Sequence, residues 1–143
     1  MNKNLRNIKV LFIAGFGPIT QDQKTSKSLY ADTLGISFEE MDNGYLHTEK
    51  VGGVKHFALW PLSQAAESCF GSSEWPANLP VPQAWLEFDV EDIDSATEEL
   101  RRTGYKLLVS VRREPWGQIV SRFLSPEGIL VAVTHTPWMR ETK

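Results

Sequence analysis

The chain has one cysteine, Cys69, among 143 residues. A lone thiol excludes an internal disulfide, so the fold must rest on a hydrophobic core, and it fits a reducing cytoplasm. No basic residue adjoins it in "AAESCFGSS", so it reads as a buried, inert side chain rather than a nucleophile. Long apolar runs are also missing. The longest near the start, "IKVLFIAGF", falls well short of the roughly 18 residues that suggest a membrane span, and no small-residue cleavage site follows it. Charge of one sign never accumulates: 15 Lys and Arg are interspersed with 18 Asp and Glu, for a net −3. There is no basic stripe for a nucleic acid to follow. "GFGPIT" has the glycines of a phosphate loop, but a proline interrupts it and the lysine is absent. No Gly-x-Ser-x-Gly elbow occurs. These absences leave a cytoplasmic domain whose partner is neither nucleic acid nor membrane.

What is present is ordinary in bulk, with 41% apolar and 23% charged residues, but rich in tryptophan, of which there are five. Indoles are large and need a core or a pocket to lie in. Along the chain, residues 8–16 are β-branched and apolar and predict a buried strand that ends at Gly17-Pro18. "TSKSLYADTLG" spaces Ser26, Leu29, Tyr30, Thr33 and Leu34 as one helix face, with Tyr30 and Leu34 in the core and Gly35 as the stop. "ISFEEMDNG" predicts a strand closing on an Asn-Gly turn. "YLHTEKVGGVKHFALW" then predicts a hairpin about Gly52-Gly53. Residues 61–82 carry Pro61, Pro76, Pro80 and Pro82, with a short helix over 63–70, and read as a connection between halves. The second half repeats the first. "QAWLEFDV" is a strand and "EDIDSATEELRRTGY" a helix with an Asp cap, followed by strands in "KLLVSVR", "QIVSRFLS" and "ILVAVTH". The order strand-helix-strand-strand-strand therefore occurs twice, over residues 1–72 and 73–143, as a repeat of pattern rather than of letters.

Three stretches in this order, "SKSLYADTLG", "FDVEDIDSATEEL" and "EPWGQIVSRFLSPEGILVAV", resemble the signatures of the glyoxalase/bleomycin resistance/dioxygenase (vicinal oxygen chelate) superfamily. The resemblance covers most of the chain. It implies an α+β fold of two βαβββ modules whose curled mixed sheets form a concave cup, commonly in a homodimer. It also implies where a metal would sit, on the first and last strands of each module. Here those positions fall at Ile13, Ala14 or Gly15, at about Ala58, at Trp85 and at Ala132. None offers a side-chain ligand, so no cofactor is expected there.

Strand alternation assigns the rest of the cup. A Val51–Val54 turn sets Glu49 opposite His56, His47 opposite Ala58 and Tyr45 opposite Trp60 on one face. Leu46, Thr48, Phe57 and Leu59 take the other. In the second half Trp85, Glu87 and Asp89 face the cup, while Leu86, Phe88 and Val90 face the helix. Three readings compete for this surface. His47, Glu49 and His56 form a solvated hairpin tip with weak cross-strand contacts. Alternatively the cup holds a small organic molecule, with walls at Tyr45, His47, Trp60, Trp85 and Trp116 and orienting groups at Glu87, His56 and Arg122. In the third reading His47, Glu49, His56 and Glu87 form a displaced divalent metal centre for Zn or Fe(II). The second reading describes a bleomycin-resistance-like binder. Its acidic lining (Glu87, with Glu49 and Asp89) favours a planar or cationic ligand. The third describes a metal-dependent lyase, isomerase or dioxygenase; in a metal-free variant of such an enzyme Glu87 or His56 are the candidate catalytic bases. Glu114 reads as a partner for Arg112, Arg113 or Arg122, and His135 as a surface residue.

Overall fold

The computed structural model describes residues 8–140; the first seven residues and the last three, included in the module bounds above, lie outside the described residues. Strand β1 (Val10–Thr20) leads to helix α1 (Gln23–Lys27), which continues as π-helical turns over Ser28–Thr33. Three short strands follow: β2 (Glu39–Glu40), β3 (Leu46–Thr48) and β4 (Phe57–Pro61). Helix α2 (Leu62–Phe70) precedes the second set, β5 (Ala84–Val90), α3 (Ile93–Arg102), β6 (Val109–Arg113), β7 (Ile119–Leu124) and β8 (Leu130–His135). A short 3₁₀ turn over Pro137–Met139 comes last.

All eight strands form one curled, unclosed sheet in the order β2-β3-β4-β1-β5-β8-β7-β6. Read outward from the central antiparallel β1–β5 pair, each half repeats the same sequence of pairings. Each half also contains one parallel pair, β1–β4 or β5–β8. The fold is therefore the α+β doubled βαβββ arrangement that the sequence pattern implies.

The first strand does not stop at Gly17-Pro18; it runs on to Thr20. Glycine keeps it in the sheet, because a Cβ on Gly17 would lie 2.0 Å from the Ala58 carbonyl oxygen of the adjacent strand. The opposite departure occurs at residues 36–44, where only Glu39 and Glu40 pair as strand, although the Asn-Gly turn closes as expected with Gly44 N–H on the Met41 carbonyl. The first helix also differs. Asp22 caps it, accepting from Thr25 N–H, and the chain then widens into π turns in which Leu34 N–H reaches back to Leu29. The extra residue per turn rotates the later side chains off the packed face. Leu34 consequently stands 59% exposed rather than in the core, while Tyr30 packs edge-on against Phe57.

The core has two parts. Under α3, Ile93, Ala96 and Leu100 pack on Val90, Phe123, Val131 and Val133. On the other face of the sheet, Ala65 and Cys69 of α2 pack on Ala58, Trp85, Val120 and Leu130. The connection between halves thus supplies a helix that fills one end of the concave side.

Candidate functional site

The hairpin register is the one alternation dictates, with Leu46 opposite Leu59, His47 opposite Ala58 and Thr48 opposite Phe57. Its Gly52-Gly53 turn closes by Val54 N–H on the Val51 carbonyl. Leu46, Thr48 and Leu59 are buried away from the cup, and Tyr45, His47, Glu49, His56 and Trp60 line it. The cavity holds about 710 Å³. Trp85, Glu87, Trp116 and Arg122 complete the expected lining, and Ala14, Gln118, Trp138 and Met139 join them unforeseen. The proline of "TPWM", which starts the final 3₁₀ turn, was the one local sign that Trp138 folds back over the sheet.

Trp85 forms the floor rather than a wall. It is only 4% exposed, and its indole crosses β1 at the gap left by Gly15. Its Nε1–H donates to the Ala58 carbonyl at 3.1 Å. Trp60 meets it edge-to-face at 6.2 Å. At the mouth, Trp116 and Trp138 are 56% and 50% exposed.

Many of the polar groups around the cavity are already matched. Glu87 accepts from Gln118 Nε2 at 3.0 Å and lies 3.7 Å from Arg122 Nη2. Trp116 Nε1–H donates to Gln118 Oε1, which couples the mouth to Glu87 through one amide. Arg122 is 2% exposed, sits 5.2 Å from the Trp60 ring, and donates to Ser68 and Glu114. Arg112 donates to the same two residues, so buried Glu114 pairs with two of the three expected arginines. Asp89 corrects the acidic lining: it is fully buried beyond the cavity, accepting from Thr134, Thr136 and Arg140. Cys69 does have basic company, since Arg122 and Arg112 act on it through space, yet burial outweighs them and pushes its thiol pKa up. His135 ends β8 and is not among the lining residues.

The three hairpin side chains form a connected cluster. Glu49 Oε2 is 2.6 Å from His56 Nδ1 and 3.0 Å from His47 Nδ1. An ionised carboxylate only accepts, so both Nδ1 atoms carry protons. In the neutral ring His56 Nε2 accepts from the Tyr45 hydroxyl at 2.8 Å. The rings of Tyr45, His47 and His56 stack, the two imidazoles 5.4 Å apart at 20°. Burial raises the Glu49 pKa, but the hydrogen bonds from His47 and His56 outweigh it and hold the carboxyl below its usual range. Burial, reinforced by the charges of Glu87 and Glu49, pushes the Tyr45 hydroxyl far above its ordinary value.

A metal at the positions implied by the resemblance does not fit these residues. Ala14 lines the cavity, and Ala132 pairs with Glu87 and Arg122 on the cup face. Ala58 stands opposite His47 and Trp85 donates to it. None of the four has a donor to give. Of the displaced set, His47, Glu49 and His56 come together, and Glu87 does not join them.

A cup of paired βαβββ modules with a lined hollow defines a glyoxalase-like protein. The family model of the "Glyoxalase/Bleomycin resistance protein/Dioxygenase superfamily" matches residues 15–133, and the chain belongs to that superfamily. Among solved structures it is similar to a superfamily member from Vibrio splendidus 12B01, with TM-score 0.60 and 16% identity over 91% of this chain and 100% of that one. It is also similar to methylmalonyl-CoA epimerase from Mycobacterium tuberculosis, with TM-score 0.54 and 19% identity over 91% of both chains. A structure described as NAD-dependent benzaldehyde dehydrogenase from Legionella pneumophila aligns at TM-score 0.56 and 11% identity, over 85% of this chain and 96% of that one. At these identities the likeness concerns the fold. No curated protein matches the chain in sequence. Among the described residues no helix is long and apolar enough to cross a membrane.

Proposed function

We propose that the chain binds a planar organic molecule in its cup, between tryptophan walls and without a metal at the superfamily's usual positions. The observation that carries this reading is the gathering of Trp60, Trp85, Trp116 and Trp138 around one cavity of about 710 Å³. That volume lies within the range of small-molecule sites, roughly 300–1,000 Å³. The binding reading asks less of the candidate bases than a reaction would. Both nitrogens of His56 are engaged, by Glu49 and Tyr45, and a general base needs a free lone pair aimed at its substrate. Glu87 accepts from Gln118 and faces Arg122 at 3.7 Å, which suits it to orienting a ligand.

The same pairing removes the requirement for a strongly cationic ligand. Each carboxylate at the cavity already faces its own donors, so the indole faces set the preference: planar first, with a delocalised positive charge as an added gain. Tryptophan fluorescence, titrated with planar neutral, cationic and anionic compounds of similar size, tests this. Saturable quenching by the neutral and cationic members is expected. Trp116→Ala, at an exposed position, should weaken it by about tenfold, the upper end of one aromatic pair. Absence of saturation across the set, or undiminished affinity in the variant, would defeat the reading.

A further inference from the structure

We propose that His47, Glu49 and His56 form a binding site for a divalent first-row transition ion at the wall of the cup, away from the superfamily's usual metal positions. The strand geometry makes the set. Glu49 and His56 directly follow and precede the last registered pair, Thr48–Phe57, and alternation puts Glu49 on the same side as His47, where it meets His56 at 2.6 Å. One ligand atom from each lies within 4.8 Å of the other two. An ion about 2.0–2.1 Å from each donor requires donors only slightly more separated than the 2.6 and 3.0 Å contacts that Glu49 now makes. Two imidazoles and one carboxylate suit Zn²⁺, Fe²⁺, Co²⁺ and Ni²⁺.

His56 has the outer contact a metal site needs, and His47 has a carboxylate within reach. Histidine ligands are usually oriented through the nitrogen that does not bind the ion. Here His56 Nε2 is 2.8 Å from the Tyr45 hydroxyl, and His47 Nε2 is 3.9 Å from Glu39 Oε1. If an ion takes both Nδ1 positions, each neutral imidazole moves its proton to Nε2. The Tyr45 oxygen then accepts in place, whereas the Glu39 carboxylate, at 3.9 Å, must move closer before it can accept from His47. The phenol can do so without moving, because a hydroxyl both donates and accepts. Ring stacking already holds both imidazoles nearly parallel, so little ordering remains to be done on binding. All three side chains line the cavity and are partly exposed, which gives an ion a route in. A three-donor set leaves a fourth position open, to water or to an oxygen- or nitrogen-bearing group in the cup.

The test uses the full chain, stripped with a chelator and titrated with Zn²⁺ by calorimetry. Co²⁺ absorption in the visible supplies an independent readout of coordination. One equivalent per chain at micromolar affinity or better is expected. His47→Ala and His56→Ala should each lose about 100-fold or more, and Tyr45→Phe about tenfold through the outer contact. Glu49→Gln keeps the side-chain shape and should also weaken binding, so a folding defect in either histidine variant cannot hide the answer. His135→Ala, which alters the remaining histidine, should change nothing. Millimolar affinity, or binding that survives Glu49→Gln together with either histidine change, would overturn the site. Failure here leaves quenching by planar compounds untouched, and loss of that quenching leaves the metal titration untouched.

Discussion

Gly17 has no side chain because a carbonyl already occupies the space where one would go. A Cβ there would lie 2.0 Å from the Ala58 oxygen, whereas one on Gly52 at the hairpin turn would meet nothing within 4 Å. Gly17→Ala should therefore cost about 3 kcal/mol or more by forcing two paired strands apart. Gly52→Ala should stay within about 0.5 kcal/mol of the parent. Urea denaturation of the two variants compares them directly, and similar midpoints would remove the close approach from the account. Glu114 poses the opposite problem of a buried charge with two partners. Removing it with Glu114→Ala leaves Arg122, itself almost wholly buried, with only a more distant carboxylate at 3.7 Å. Breaking a buried pair in this way costs on the order of 3–5 kcal/mol, and the same denaturation experiment measures it. In the sequence Gly17 stood as a strand stop, and Glu114 as a partner for one of the arginines, which was right, but without its burial; the close approach and the burial depend on neighbours that only the sheet brings together.

At the scale of elements, the β3–β4 hairpin was the most legible part of the chain. Strict alternation in "YLHTEKVGGVKHFALW" sets the register, and a slip of one residue would have buried His47 and exposed Leu46. Helix α1 was the least legible. Its spacing fits an α-helix, and only tertiary packing on Phe57 shows where the π turns open. Helix α2 was found but not its task, since nine residues between prolines carry no sign of which face of a sheet they will cover. The hairpin also carries a pH dependence. Glu49 links its two strands, and its carboxyl pKa is lowered by the two histidines despite partial burial. A carboxylate with a lowered folded-state pKa contributes in full above its unfolded value and loses that contribution as pH falls through the folded value. Amide exchange in the hairpin, measured relative to β5 and β8, should therefore stay constant down to the ordinary carboxylate range. Below that range the hairpin should exchange faster. In Glu49→Gln the acid-induced change should vanish; its persistence would place the sensitivity elsewhere.

For the whole molecule, the second half keeps a cluster of buried residues of its own under α3, but the cluster on the cup face is shared between the two halves. Ile19, Ala58, Ala65 and Cys69 of the first half pack in one cluster with Trp85, Val109, Val120 and Leu130 of the second. The β1–β5 pair joins the halves along seven registered positions, from Val10–Val90 to Pro18–Ala84, so neither half can leave without exposing both a sheet edge and this cluster. The cup walls, too, come from both halves of the chain. One cooperative unfolding transition is expected in consequence. Tryptophan emission reports mainly on the cup, where four of the five indoles lie, and far-ultraviolet dichroism reports on the sheet and helices. The two signals should give the same urea midpoint, with a slope appropriate to the entire chain. Two separated transitions, or a midpoint for emission well below that for dichroism, would mean that the halves open independently and that the cup is a contact between domains rather than the interior of one.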